Sequence, residues 1–516
     1  MWTASHGREM GVTGPGLSNG GTGRVRVRDV FLRGVEPPPA RVFTERPGYP
    51  WFVVAVTCIG AFIGQLDASI VQLALPHLRE VFHTGFDGVS WVSLAYLLAF
   101  ASTLPIFGRL CELFGRKLLY LVGFVAFSAA SALCGSAGGL GELVAYRALQ
   151  GIGGAMLGAN SISMLVRAVD PGRRARAMGI FAAAQAIGVS VGPVVGGLLL
   201  GTLGWRWIFW VTVPFGLAAA VLGWLVLPQT SGTKGDRRFD GWGAVLLMPG
   251  LTAFMLVLNQ SSAWGILSPR ILGCAAVAVV MIGLFVRHEN ACPYPLVDLR
   301  LFRSPAFSFG GLGTILGYAL LYGMFFVMSF ALVRGLGDRP EVAGMRLAVL
   351  PAALGIVASL TGGWSKRFGI RRLCVLGMTL CGVSIGGLAV CLSNPAWGRI
   401  VDLSALALFG AGLGLFIAPN NHGTMEAAPA DHSGQAGALL NLLRVSGTSL
   451  GVASGSAYLS WRLAEMGMSG TRGAVIAGPQ LVRAAVETLA LLATFAVLAG
   501  VVSLIPGKPS NPGRPS

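Results

Sequence analysis

Charged side chains are scarce in this chain, at 11% of 516 residues against 54% hydrophobic, which excludes a soluble protein of this size. Acids are the scarcest of them, with 21 Asp and Glu facing 38 Lys and Arg. Lysine itself is nearly missing, 4 against 34 arginines, and reads as GC-rich coding rather than chemistry. No GxxxxGK[ST] phosphate loop occurs, so the chain carries no motif for driving work with a nucleotide. Among the eight cysteines (Cys58, Cys111, Cys134, Cys274, Cys292, Cys374, Cys381, Cys391) there is no CxxC, and none of the six histidines stands at metal spacing. The cysteines read as small apolar residues, and no metal or cofactor is expected. The first 50 residues, rich in Gly, Pro and Arg, lack the apolar core of a cleaved signal peptide. They read as a disordered cytoplasmic tail, as do residues 506–516. No histidine, cysteine or carboxylate cluster and no loop long enough to fold alone is visible, which argues against an enzyme or an appended sensor.

What is abundant is long apolar runs. Runs near 51–75, 89–110, 118–138, 140–165, 177–201, 206–228, 241–260, 270–287, 305–332, 343–363, 373–393, 403–422, 434–458 and 481–505 each approach or exceed the length that spans a bilayer. They predict an all-α polytopic membrane protein with fourteen transmembrane helices. An even number puts both termini on one side. If that side is cytoplasmic, about 26 of the 38 basic residues fall inside, as the positive-inside rule requires. The clusters Arg167/Arg173/Arg174/Arg176, Lys234/Arg237/Arg238 and Lys366/Arg367/Arg371/Arg372 lie there. The net charge of +17 is thereby accounted for by membrane topology and lipid head groups, with no nucleic acid.

An internal repeat organises the runs. Glycines at four-residue spacing in Gly447, Gly451 and Gly455 answer Gly188, Gly192 and Gly196. Gly410 and Gly412 answer Gly151 and Gly153, and the segment from Gly362 to Arg371 answers Gly108 to Lys117. Two six-helix bundles follow, at 51–228 and 305–505, with the 229–304 segment as an inserted helix pair and its loops. A repeat about the membrane normal is the plan of a rocking transporter with its substrate site between the halves.

Three stretches carry chemistry. In Gly188-Val-Ser-Val-Gly192-Pro193-Val-Val-Gly196-Gly197, Ala184, Gly188, Gly192 and Gly196 form a groove along one helix face that admits a neighbouring backbone. Pro193 frees a carbonyl in mid-span. Asp67, in the first run, is an acid at membrane depth, where a charge costs about 2.5–3.5 kcal/mol, so it requires a partner, water or a proton. It shares a face with Gly60 and Gly64. In the fourth run Arg147, Gln150, Gly151 and Gly154 make one helical face. Arg147 stays protonated and so acts only through its field on a neighbouring carboxyl. The sequence does not place Arg147 against Asp67.

These stretches resemble the signatures of the major facilitator superfamily, in particular its fourteen-span drug:proton antiporter branch. Gly188 to Gly197 is similar to the antiporter motif of the fifth helix. Leu66-Asp67 to Pro76 resembles the first-helix signature, with Gln72 where asparagine is usual, and Arg147 to Ala155 the fourth-helix motif. Gly108-Arg-Leu-Cys-Glu112-Leu113-Phe-Gly115-Arg116-Lys117 resembles the loop in which a carboxylate, bases and helix dipoles close the cytoplasmic side. Glu112 stands for the usual aspartate and Leu113 for a usual base, implying a weaker gate. Trp205-Arg206-Trp207, Phe239-Asp240-Gly-Trp242-Gly243 and Pro295 to Arg303 extend the likeness over most of 50–505.

The resemblance implies a monomeric secondary exporter of the cytoplasmic membrane that exchanges protons for drugs, antibiotics or other small organic molecules. A dedicated exporter of an endogenous metabolite or self-made antibiotic would share that fold and coupling. Asp67, Arg147 and Gln150 would couple the proton. The polar residues Tyr318, Tyr322, Asn420, Asn421, Asn441 and Arg444 are candidates either for a substrate cavity or for hydrogen bonds between helices.

Overall fold

The computed structural model describes residues 36, 38–170, 173–230, 240–265, 267–292, 296–297, 299–393, 398–428, 433–468 and 478–505. The expected cluster at Lys234, Arg237 and Arg238 lies outside them, as do residues 1–35 and 506–516. The helices that matter are α1 (Tyr49–Val81), α2 (Phe86–Phe114), α3 (Arg116–Ser136), α4 (Leu140–Ala168), α5 (Arg174–Thr202) and α6 (Thr212–Val226). After them come α7 (Gly241–Trp264), α8 (Pro269–Ala291), α9 (Pro305–Phe330), α10 (Pro340–Phe368), α11 (Ile370–Ser393), α12 (Gly398–Glu426), α13 (Ser433–Leu463) and α14 (Gly478–Leu504). No strand occurs among the described residues.

Local chemistry sets several boundaries. Ser268, Ser304 and Arg339 each precede a proline at the first helical position of α8, α9 and α10, where the missing N–H costs nothing. Asp240 caps α7 by accepting the Gly243 N–H. Prolines also sit inside α1, α2, α5, α7, α10 and α12, tolerated where neighbouring helices satisfy the freed carbonyl.

Among the described residues, twelve helical stretches are long and apolar enough to cross a membrane. Two of the fourteen expected spans are helical but fall short of that measure. In α7 the apolar stretch Gly241–Val257 ends where the described side chains break off, so its shortness says nothing of the residues that follow. α13 is 31 residues long, but Asn441, Arg444 and its many Ser, Thr and Gly residues dilute its apolar character.

The repeat is visible in how the helices meet. Gly115, which ends α2 at φ 98°, has a counterpart in Gly369, which ends α10 at φ 82°. Both positions lie in the left-handed region that favours glycine. Gly151 and Gly153 of α4 lie against the backbones of α2 (Tyr96) and α3 (Phe127), while Gly410 and Gly412 of α12 lie against α10 (Leu350) and α11 (Gly377). Gly188, Gly192 and Gly196 of α5 abut α1, and Gly447 and Gly451 of α13 abut Ile315 and Ala319 of α9. Small residues let helix backbones close up where lipid supplies no hydrophobic drive. α8 presents Leu272, Val277, Val279 and Val280 outward, all more than half exposed except Val277.

The halves meet along α5–α10 and α2–α13, and several of the polar and aromatic contacts lie at one end. Pro193 O lies against Gly344 and Gly197 against Pro340 O. Glu80 pairs with Arg334, Ser460 donates to Asp87 at 3.3 Å, and Phe86 meets Phe330 with ring centroids 4.9 Å apart. α1 packs against α9 across the halves, whereas α4 and α12 make no comparable contact among the described residues.

Candidate functional site

A closed polar network lies inside the first half. Arg147 of α4 donates from Nη1 to Asp67 Oδ2 of α1 at 2.7 Å, and the two side chains are 1% and 0% exposed. Gln150, one turn further along α4, donates from Nε2 to Asp67 Oδ1 at 2.8 Å and accepts from Arg147 Nη1 at 2.5 Å. Ser131 of α3 and the Val92 carbonyl of α2 complete it, through Gln150 Nε2 at 2.8 Å and Arg147 Nε at 2.8 Å. The guanidinium stands 4.6 Å over the Tyr96 ring. All three residues singled out for proton coupling therefore meet, and Asp67 accepts at both oxygens. Such a pair is held by geometry and hydrogen bonds rather than by Coulomb attraction alone, since desolvating two charges offsets most of the attraction.

The glycine stretch of α5 is wedged between α1 and the second half. A Cβ at Gly188 would stand 2.7 Å from Phe62 O, one at Gly192 would run into Ser69 Oγ, and one at Gly196 would stand 2.7 Å from Ile70 Cγ1. Gly197 turns the other way, onto Pro340 O of α10. Ser69 lies two residues from Asp67, so the helix that carries the acid is the one against which α5 is closest. Three of the predicted glycines thus serve one contact, and Gly197 with Pro193 serves the contact across the halves.

At the α2–α3 junction, Lys117 is fully buried and donates from Nζ to Trp224 O at 3.0 Å and Leu227 O at 2.6 Å, the last carbonyls of α6. A cation there complements the negative end of that helix. The first N–H groups of α3 face a carboxylate that sequence reasoning missed. Lys117 N and Leu118 N donate to Glu36 Oε1 at 3.0 and 3.3 Å, and the Thr230 backbone and hydroxyl bind the same group. Gly115 also lies against it. Glu36 belongs to the segment expected to be a tail; residues 38–48 of that segment include a short helix, Arg41–Thr44. Nothing local in the sequence couples Glu36 to Lys117, 81 residues away. These bonds join α3, α6 and the leading segment within the first half. Gly108 is half-buried on α2, and Arg116 N donates to Thr230 Oγ1 at 2.8 Å. The side chain of Glu112, the expected acid of this gate, lies outside the described atoms.

The second-half candidates separate into two sets. Asn420 donates to Gly310 O at 2.9 Å and Thr314 Oγ1 at 3.1 Å, and Thr314 in turn reaches Asn421 Oδ1 at 3.1 Å. Both asparagines thus tie α12 to α9. Asn420 also borders a cleft with Gly310, Arg371 and Thr424. Tyr322, Tyr318, Asn441 and Arg444 instead face the first half or one another. Tyr322 donates to Gln65 Oε1 at 3.3 Å across the halves, and Asn441 Nδ2 approaches Gly158 of α4. Arg444 donates to Asn441 Oδ1 at 2.9 and 2.6 Å and stands 5.8 Å from the Tyr318 ring. It has no carboxylate partner among the described residues. The sequence reading passed over another buried arginine, Arg346 of α10, which pairs with Asp338 and Asp402.

The family model of the Major Facilitator Superfamily matches residues 57–452. The chain is 31% identical to the tetracenomycin C resistance and export protein of Streptomyces glaucescens, over 81% of this chain and 78% of that one. It is 32% identical to multidrug resistance protein Stp of Mycobacterium tuberculosis, over 80% and 76%. It is 29% identical to the riboflavin transporter RibZ of Clostridioides difficile, over 80% and 89%. Among solved structures it resembles a bacterial homologue of the human lysosomal transporter Spinster in an inward-facing, unoccupied conformation, with TM-score 0.64 and 17% identity over 89% of this chain and 97% of that one. The D-xylose–proton symporter gives a TM-score of 0.63 at 17% identity, over 89% and 98%. At that identity the likeness concerns the fold.

Proposed function

The chain belongs to the major facilitator superfamily and is a multi-pass membrane transporter rather than an enzyme, and from that premise we propose that it exports small organic molecules across the cytoplasmic membrane in exchange for protons. The observation that carries this reading is the Asp67–Arg147–Gln150 network. Adding a proton to the Asp67 carboxylate would remove the attraction that ties α1 to α4, and so change the packing of the helix against which α5 lies. The proton would therefore be exchanged for a conformational change.

Gly188, Gly192 and Gly196 supply a flat track on which α1 and α5 stay close as the halves rock, and Pro193 with Gly197 supplies the contact to α10 that closes one end. All fourteen helices would cross the bilayer, as two six-helix bundles with α7 and α8 inserted between them and both termini cytoplasmic. In that orientation the end where Pro193 meets Gly344 and Glu80 meets Arg334 would be the outer one. Gln65, Tyr96, Tyr318, Tyr322, Asn441 and Arg444 would line the substrate path. One proton entering at roughly 150 mV supplies about 3.5 kcal/mol, enough for a gradient of a few hundredfold. Names of relatives support both broad and narrow cargo: a multidrug resistance protein and an antibiotic export protein on one side, a riboflavin transporter on the other. The riboflavin relative favours, as a second reading, a carrier dedicated to one metabolite.

The test is transport in inverted vesicles under an inward-acidic gradient with a panel of lipophilic dyes, antibiotics and riboflavin. Uptake should collapse with an uncoupler and be lost in Asp67→Asn. Gradient-driven uptake that survives in Asp67→Asn would remove the acid from its proposed role.

A further inference from the structure

The helix pair α7–α8 holds a cluster of side chains that transport does not use. Asp240, the cap of α7, places Oδ1 2.8 Å from the Gly243 N–H and 2.8 Å from Nε2 of His288 near the end of α8. Cys292 closes α8 one turn beyond His288, so the two project from the same face. One donor atom from each of Asp240, His288 and Cys292 lies within 4.8 Å of the other two. Atoms bound at about 2.0–2.3 Å from a common centre must be within roughly that distance of one another.

Two buried oxygens at this place have no hydrogen-bond partner. They are Asp240 Oδ2 and Glu289 Oε2, on residues only 8% and 5% exposed. The other Glu289 oxygen accepts the Leu296 N–H at 3.1 Å. Both carboxylates converge on Gly243: a Cβ there would collide with Asp240 Oδ2 and stand 3.1 Å from Glu289 Oε1. A glycine is thus required where two acids crowd together. Buried carboxylate oxygens without a partner are costly unless a positive charge answers them.

We propose that Asp240, His288 and Cys292 form a binding site for a zinc-type divalent cation that clamps the start of α7 to the end of α8, with Glu289 adding negative charge from beside it. The ligand set decides the class of metal. Imidazole and thiolate with one carboxylate suit zinc and its neighbours, whereas magnesium and calcium take oxygen donors. The spacing was not legible as a metal motif because the histidine and cysteine form a four-residue pair whose third partner lies 48 residues earlier. The proposal stands apart from the transport reading, since it concerns a clamp at one end of two helices.

The experiment uses the full chain in detergent, stripped with a chelator, dialysed against low-micromolar Zn²⁺ and assayed for bound metal by mass spectrometry. Wild type should retain about one zinc per chain, and His288→Ala and Cys292→Ala should each bind at least tenfold more weakly. Co²⁺ substitution should give a thiolate-to-cobalt absorption band that Cys292→Ala abolishes. Zinc should also shield Cys292 from maleimide, read by peptide mapping, and this last measurement needs no variant and so survives if His288→Ala fails to fold. Substoichiometric zinc in wild type, equal binding by both variants, or Cys292 labelling indifferent to zinc would each overturn the site.

Discussion

Two arginines, Arg147 of the first half and Arg444 of the second, are held in opposite ways. In the first half Arg147 is sealed, 1% exposed, with Asp67 at 2.7 Å and the Gln150 and Val92 oxygens accepting from its Nη1 and Nε. In the second, Arg444 is half-buried and finds only the neutral oxygen of Asn441 and the face of Tyr318. A guanidinium stays charged in either setting. The first is a closed charge pair, the one proposed to take the proton. The second keeps its charge available to whatever enters between the halves. Coupling chemistry and cargo chemistry are in this view divided between the repeats, and each of the following substitutions tests that division.

The largest effect is expected at the closed pair. Asp67→Asn leaves a buried guanidinium without its counter-charge and should cost about 3–5 kcal/mol of stability. Adding Arg147→Met removes both charges and should restore most of that loss, because replacing a whole buried pair by apolar groups is often neutral. Thermal melts of the two variants and the wild type in one detergent measure the difference, while proton-driven uptake should be absent from both variants. Recovery of stability without recovery of transport separates the network's structural role from its coupling role. If the double variant also regains uptake, the first half is not where the proton acts.

Next comes the contact beneath that pair. Gly192→Ala forces a methyl group onto Ser69 Oγ and should destabilise the protein by about 1–3 kcal/mol. Ser69→Ala removes the colliding oxygen, so the double variant should recover more than half of the loss. A cycle with no coupling between the two sites would mean that α1 and α5 are not as close as the glycine track implies.

A smaller effect is expected at the end of α3. Glu36→Gln keeps an acceptor for the Lys117 and Leu118 N–H groups but removes the charge that complements the helix dipole, at a cost of about 1 kcal/mol. The loss should shrink in high salt if it is electrostatic, and a melt repeated at two ionic strengths reads it. Equal losses at both would assign Glu36 a packing role only.

Some of this arrangement could be read from the sequence and some could not. Glycines at four-residue spacing are legible because the helical period alone decides that they share a face, and Gly151, Gly188, Gly192 and Gly196 do meet neighbouring backbones. Asp67 stands out because an acid in an apolar run is costly. Its pairing with Arg147 is not legible, since it depends on how α1 and α4 are rotated against each other. Glu36 was hidden for the same reason, with its partners 81 and 194 residues away. Asn420 and Asn421 had the right chemistry for a cavity yet are engaged with Gly310 and Thr314, because polar side chains on facing helices satisfy one another first. Arg346 went unnoticed because a base near the end of a span looks like a loop charge until Asp338 and Asp402 are found beside it.

The smallest change in stability, and the sharpest test of the comparison, is expected at Arg444. Substitution by glutamine keeps an N–H donor on a shorter side chain and removes a charge that no carboxylate answers among the described residues. Stability should therefore move by no more than about 0.5 kcal/mol, against several for Asp67→Asn. Selectivity should move instead. A cation over an aromatic face attracts acidic or electron-rich groups and repels cationic ones, so Arg444→Gln should lower uptake of acidic compounds by about tenfold, raise or spare that of cationic dyes, and leave uncoupler sensitivity intact. The last readout matters most, because a charge that serves cargo can be removed without uncoupling the proton, whereas a charge that serves coupling cannot. Loss of proton-driven uptake for every compound in Arg444→Gln would place both arginines in one circuit and dissolve the division between the halves.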